Sequence, residues 1–277
     1  LKSLLESGVD VCRFNYSHGD PEDKTELYQR VRDIEDEMGR PTCILADLPG
    51  PKLRLGNFPE VHMLEDGAEI TLHCGLLHIE STTGTDFPVE YGGLSAEIKP
   101  GDPILLADGL IRLEVDTTDG EADGKVRCTV VDGGPISSRK GVNVPGTLVD
   151  LPAIGPKDTL ALNHALENGA DCIAVSYVRT AADLLPAKEA VRAASMHVPV
   201  LAKIEPPVAL DYLESIIDKA DAVMVARGDL GVEIPLENVP VVQQQIIDKA
   251  LERGMPVIVA TQMLESMTFQ PRPTRAE

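Results

Sequence analysis

Lys203 and Glu205 stand two residues apart at the end of an apolar run, 200–202. Residues i and i+2 of a strand face the same way, so an ammonium and a carboxylate share one face here. Burying either group without a partner is costly. Other apolar runs end in the same fashion. The run 222–226 leads into Arg227, Gly228 and Asp229, and the run 257–260 leads into Thr261 and Gln262. Arg13, Asn15 and Ser17 alternate along 9–17, and Asp47 closes 42–47. Taken singly, each has a plain structural explanation: a rim salt bridge for Lys203 and Glu205, a turn or helix cap for Asp229, a turn for Asp47 before Leu48-Pro49-Gly50. Taken together, polar groups at the ends of five strands point to an active site, because parallel α/β sheets and barrels build theirs at the carboxyl ends of strands.

Glu205 and Asp229 on successive strand ends suit a hard divalent cation such as Mg²⁺, which takes one or two protein carboxylates and fills its other positions with water and substrate oxygens. A nearby Lys and Arg would stabilise charge on a transferring phosphoryl group or an enolate. The six His show no metal-ligand spacing, and His62, His73 and His78 fall in a segment where packed or exposed His is the plainer reading. No nucleophile-elbow signature is present.

The elements that must hold these groups follow a βα rhythm. A strand at 9–17 precedes a helix at 21–38, opened by Pro21 and stopped by Gly39, and a buried strand at 42–47. After Pro152 come helix 157–168, strand 171–178, helix 181–195, strand 198–205, helix 207–219, strand 222–229, helix 236–253 and strand 256–262. Between the two stretches, from about 56 to 137, short alternating runs are punctuated by Asp66-Gly67, Pro100-Gly101, Asp119-Gly120 and Asp123-Gly124, the pattern of a small antiparallel β domain. The expected organisation is therefore a (β/α)8 TIM barrel, incomplete in this chain, over 1–55 and 138–277, with an inserted antiparallel β-barrel over 56–137. No glycine-rich dinucleotide or P-loop signature follows a strand, which disfavours a nucleotide-binding doubly wound sheet.

Composition narrows the partners. The 277 residues carry a formal net charge of −20, which argues against a nucleic-acid surface or an anionic membrane. No apolar run approaches the ~18 residues of a membrane span. Five scattered Cys, odd in number and without a C-x-x-C pair, read as reduced thiols of a cytoplasmic protein. Aromatic content of 3% without Trp implies an aliphatic core. The chain opens on Leu1 and stops at Glu277 in what reads as the start of a loop or helix, so both ends are expected to be cuts.

The motifs Arg13-Phe14-Asn15-Tyr16-Ser17-His18, Asp47-Leu48-Pro49-Gly50-Pro51-Lys52-Leu53-Arg54, Asp108-Gly109-Leu110-Ile111, Ser138-Arg139-Lys140-Gly141-Val142-Asn143, Ala202-Lys203-Ile204-Glu205, Val225-Ala226-Arg227-Gly228-Asp229-Leu230-Gly231 and Thr261-Gln262-Met263-Leu264-Glu265-Ser266-Met267, followed by Pro271 to Glu277, resemble the pyruvate kinases, in the family's order along the whole chain. The resemblance implies a barrel A domain and a mobile B domain. It implies phosphoryl transfer from phosphoenolpyruvate to ADP, giving pyruvate and ATP. Glu205 and Asp229 match the Mg²⁺ (or Mn²⁺) ligands, and Lys203 and Arg13 match the groups at the transferred phosphoryl. Thr261, with the Gly228 and Asp229 backbone, matches the holder of the phosphoenolpyruvate carboxylate. Asn15, His18, Arg54 and Lys140 match the nucleotide side. Asn15, Ser17, Asp47 and the Leu48 carbonyl match the positions that hold K⁺ in many members.

Departures from the family are informative. Potassium-dependent members resemble Asp-Thr-Lys-Gly-Pro-Glu over 47–52, whereas Leu48, Pro49 and Lys52 stand here. A lysine ammonium in place of that carboxylate supplies positive charge and repels the ion, so K⁺ is expected not to be required. Pro206 and Pro207 follow Glu205 where a polar residue or Lys is usual. The family's first and last barrel strands and its C-terminal regulatory domain are missing, so the chain alone is expected to be inactive and the full-length protein a homotetramer. Two rival readings exist. A metal-dependent pyruvate aldolase would also pair Glu and Asp at strand ends, but needs no nucleotide lid with Arg54 and Lys140 at its hinges. A ligand-binding remnant would keep the site without turnover.

Overall fold

The computed structural model describes residues 1–120, 122–147, 149–261, 263–275 and 277. Among these, a six-stranded parallel sheet is formed by Val11–Asn15, Cys43–Asp47, Cys172–Val175, Val200–Ile204, Ala222–Ala226 and Val257–Ala260. The strands lie in the sheet in the order in which the chain makes them. A doubly wound sheet reverses direction at a switch point, whereas a (β/α) barrel winds one way, as here. Helices Thr25–Met38, Pro156–Glu167, Leu185–Ala193 and Val239–Glu252 follow in the crossovers. Val200–Ile204 and Ala222–Ala226 are buried at every residue, the signature of strands covered on both faces.

One face of this sheet packs Leu45, Ala174, Leu201 and Met224 together, with Cys172, Ile258 and Ala260 against them. Two residues past Leu45, Ala174 and Leu201 stand the polar Asp47, Ser176 and Lys203, whereas Met224 is followed by Ala226. The period of two thus carries the chain from an apolar layer directly into the charged one.

Several expected strands end earlier than their apolar pattern implies. The strand expected over 222–229 stops at Ala226, and Arg227–Glu233 is a helix. Asp229 therefore projects from a first helical turn rather than from a strand. The strand expected over 9–17 stops at Asn15, with Ser17 in the following turn. The strand expected over 171–178 stops at Val175, and Tyr177 turns the backbone with φ 56. Helix 207–219 is broken at Tyr212 into Val208–Asp211 and Leu213–Ile217.

By compactness the described residues fall into two units. The first is Leu1–Pro51 with Pro152–Leu230 and Glu237–Glu277. The second is Lys52–Leu151 with Gly231–Leu236. The second unit reaches past the 56–137 read from turn signals, because Leu53–Arg54 and Gly141–Asn143 pair with each other and Gly141–Asn143 pairs with Pro103–Leu106. It contains a seven-stranded sheet, mostly antiparallel, around Leu72, Phe87, Leu106, Leu113 and Val126. Ile111–Thr118 alternates buried and exposed residues, as an antiparallel strand with one solvated face does.

All five Cys are free. Burial pushes the Cys128 and Cys172 thiols up to about 12 and Cys74 up to about 11, so these are packing residues rather than nucleophiles. Among the described residues, no helix is long and apolar enough to cross a membrane.

Candidate active site

Four charged groups meet at the carboxyl ends of the parallel strands. Lys203 Nζ lies 2.9 Å from Glu205 Oε1 and 3.1 Å from Asp47 Oδ1. All three residues are buried, at 6%, 4% and 1% exposure. Arg13 approaches from the other side, with Nε and Nη2 each 2.6 Å from Asp47 Oδ2. Two cations and two anions thus form a neutral chain. That arrangement answers the energetic objection to burying any one of them.

The environment sets the charge states. Burial pulls Lys203 toward its neutral form, but Glu205 and Asp47 more than offset this, and its pKa is raised. Burial pushes the Glu205 carboxyl up, to about 7; Lys203 pulls it down, while Asp229 and Asp47 push it further up. Glu205 Oε2 accepts the Tyr177 amide at 2.9 Å. Glu205 Oε1 faces the Lys203 ammonium at 2.9 Å.

Ser176 belongs to this cluster and was not singled out from sequence. Its Oγ donates to the Leu48 carbonyl at 2.7 Å and accepts from Lys203 Nζ at 2.8 Å. The signal was available: Ser176 is two residues past Ala174 on a strand whose inward residues are Cys172 and Ala174. Gly50 follows Leu48 with φ 73, and a Cβ there would lie 2.6 Å from the Ser176 Cβ, so only glycine fits. The Gly50 amide donates to Asp158 Oδ1 at 2.6 Å, anchoring this loop to the first turn of helix Pro156–Glu167.

Thr261 lies just past Val257–Ala260 with φ 70, an unfavourable backbone conformation for a β-branched residue. It is held by its neighbours. The Gly228 amide donates to Thr261 Oγ1 at 2.8 Å, and Arg227 donates to the Thr261 carbonyl. A Cβ on Gly228 would come within 3.3 Å of the Thr261 methyl, so the glycine permits this approach. Thr261 and Gly228 are therefore brought together, with Asp229 next along the chain. Gln262 and Ala276, which share the last motif, lie outside the described residues.

Asn15 and Ser17 form a local turn, the Ser17 amide donating to Asn15 Oδ1 at 2.9 Å. His18 follows in the same turn, exposed. In the second unit, Arg54 pairs with Gly141 across two strands, and the Leu55 amide donates to the Lys140 carbonyl, so Arg54 and Lys140 are neighbours. Lys52 Nζ lies 3.2 Å from Asp108 Oδ1.

A strand order that winds one way, with a buried ionic cluster at the carboxyl ends, defines a barrel protein of the (β/α)8 type with a small β domain. The chain belongs to the pyruvate kinase family: the family model described as pyruvate kinase, barrel domain, matches residues 1–277. It is 46% identical over 281 residues to a pyruvate kinase of Mycobacterium tuberculosis, covering 100% of this chain and 58% of that protein. It is 46% identical to a pyruvate kinase of Corynebacterium glutamicum (99% and 57% covered) and 42% identical to one of Geobacillus stearothermophilus (100% and 47%). The chain thus spans about half the length of the curated relatives it matches.

Proposed function

We propose that the protein containing this chain transfers the phosphoryl group of phosphoenolpyruvate to ADP, giving pyruvate and ATP, the last step of glycolysis, in the cytoplasm and as a homotetramer. The observation that carries this reading is the Lys203 ammonium, buried between Asp47 and Glu205 at the strand ends. A cation fixed in a water-poor site is a pre-organised stabiliser for charge on a phosphoryl group in flight.

The residues divide the work. Lys203 and Arg13 face the transferring phosphoryl oxygens. Asp47, holding both cations, fixes their spacing. Thr261 Oγ1 and the Gly228 and Asp229 amides are assigned to the carboxylate of phosphoenolpyruvate, the Gly228 amide exchanging its bond to Thr261 Oγ1 for the ligand, and the first turn of Arg227–Glu233 adds its partial positive charge. Asn15 and His18 are assigned to the nucleotide side.

Glu205 and Asp229 fit a divalent cation, Mg²⁺ or Mn²⁺. Glu205 is buried, and the Asp229 charge raises its pKa, so a cation near both carboxylates would relieve the repulsion. Among the described residues no group of three or more His, Cys, Asp or Glu forms a cage. A two-carboxylate site suits an ion that keeps water and substrate oxygens as ligands. When bound, the ion neutralises phosphoryl and enolate charge. K⁺ is not required, because Asp47 already holds Arg13 and Lys203, and Lys52 replaces a family carboxylate with positive charge.

The test is pyruvate formation by the whole natural protein from phosphoenolpyruvate and Mg²⁺, with and without ADP. ADP-dependent release supports the reading. ADP-independent release, or pyruvate made instead from an aldol substrate, contradicts it.

A further inference from the structure

Lys24 ends the 3₁₀ turn Pro21–Lys24 and is 7% exposed. Its ammonium donates to the His18 carbonyl at 2.6 Å and reaches the Asp20 carbonyl at 3.5 Å. It also lies 5.0 Å from the centroid of the Tyr16 ring, in cation–π range. Among the described residues no carboxylate lies within ion-pairing distance of it. A buried ammonium without a counter-charge is an expensive way to fill space, and an apolar side chain would pack there at lower cost.

Every partner of this ammonium belongs to the segment 16–20, which leaves strand Val11–Asn15 and carries Ser17 and His18. The ring beneath it is anchored in turn. Tyr16 Oη is 3.1 Å from Tyr28 Oη and 2.9 Å from His164 Nδ1, and His164 Nε2 is 2.9 Å from Thr25 Oγ1. The segment also passes close beneath its helix. Gly19 has φ 68, and a Cβ there would lie 2.9 Å from Asp23 Oδ2. Asp23 Oδ2 accepts the Asp20 amide at 2.9 Å. Because the C=O and N–H of a trans peptide point opposite ways, seating the His18 carbonyl on Lys24 turns the Gly19 amide away from it.

We propose that Lys24 is a positioning residue for the nucleotide side of the site, its ammonium on the Tyr16 ring fixing the His18 and Asp20 carbonyls and so orienting His18 toward a nucleoside diphosphate. This rests on the reading of Asn15 and His18 as nucleotide contacts. Lys24 itself touches no reacting atom.

The experiment compares Lys24→Met and Lys24→Arg with the parent in the whole natural protein, by steady-state kinetics and by amide hydrogen exchange over 17–19. Lys24→Met is expected to raise KM for ADP about tenfold and leave KM for phosphoenolpyruvate within about twofold, the scale of one lost charge-assisted hydrogen bond. Exchange at 17–19 accelerates while the thermal midpoint is kept. Lys24→Arg, still cationic and able to stack on Tyr16, recovers most of both. If Lys24→Met does not fold, Lys24→Gln carries the same comparison. Unchanged exchange, an unchanged KM for ADP, or an equal rise in both KM values overturns the proposal. If the parent makes no pyruvate, the broader reading fails, and exchange over 17–19 alone decides whether Lys24 positions the segment.

Discussion

Asp47 and Lys203 come from strands that are not neighbours, yet their charged ends lie 3.1 Å apart. Strand Cys172–Val175 runs between theirs, and sheet spacing alone would separate them by roughly 10 Å. The gap closes because the residue above the intervening strand is Ser176, small enough for the lysine to pass and polar enough to bond it. Ser176→Ala is expected to lower kcat about tenfold, by loosening Lys203, and to cost about 1–2 kcal/mol by leaving the buried Leu48 carbonyl without its donor. Kinetics with a denaturant melt check this. A variant with normal kcat and normal stability would show that Ser176 is a bystander.

Gly50→Ala is expected to destabilise the first unit by roughly 2 kcal/mol or more, since it combines a left-handed φ with a 2.6 Å approach to Ser176. The expected drop in thermal midpoint is about 5 °C. A midpoint within about 1 °C of the parent would mean that this loop is not held as described.

Much of this arrangement was legible in the sequence, and the reason is parity. Leu201 and Lys203 alternate on one strand with Glu205 just past its end, and Leu45 and Asp47 alternate on another, so the charged layer could be read two residues above the apolar one. The one-way β/α winding and the interposed β segment could be read from runs and turn pairs. The strand ends could not. Ala226 and Arg227 differ by a change of backbone state within an unbroken motif, so Asp229 was placed on a strand although it lies on a helix. Thr261 and Tyr177 adopt positive φ against their own preferences, held by tertiary bonds that no local pattern encodes. Lys24 looks like an ordinary helix-start lysine until its carbonyl partners are seen.

Glu205→Gln and Asp229→Asn are each expected to raise the Mg²⁺ concentration for half-maximal rate by about tenfold or more, because each removes one of the two carboxylates proposed to hold the ion. Titration of activity against Mg²⁺ measures it. Half-saturation unchanged in both variants would remove the metal assignment.

Activity in tetramethylammonium buffer is expected to change little on adding KCl. Lys52→Glu is expected to introduce a K⁺ requirement, limited by Leu48 and Pro49. Activation of the parent by K⁺ on the order of tens of fold would contradict the charge-replacement argument.

The central claim is that the Lys203 ammonium stabilises the transferring phosphoryl group. Its most direct test is the single-turnover rate of pyruvate formation from phosphoenolpyruvate and ADP by Lys203→Met, with circular dichroism confirming the fold and saturating substrates removing any binding defect. The account predicts a loss of roughly 10³-fold or more, the scale of removing a key charge-stabilising group. Removing the ammonium also takes one of the two cations from Asp47 and lets Glu205 take up a proton, so stability falls by about 3 kcal/mol while the fold persists. A rate within about tenfold of the parent would contradict the account, because the buried cation would then be a structural pair and nothing more.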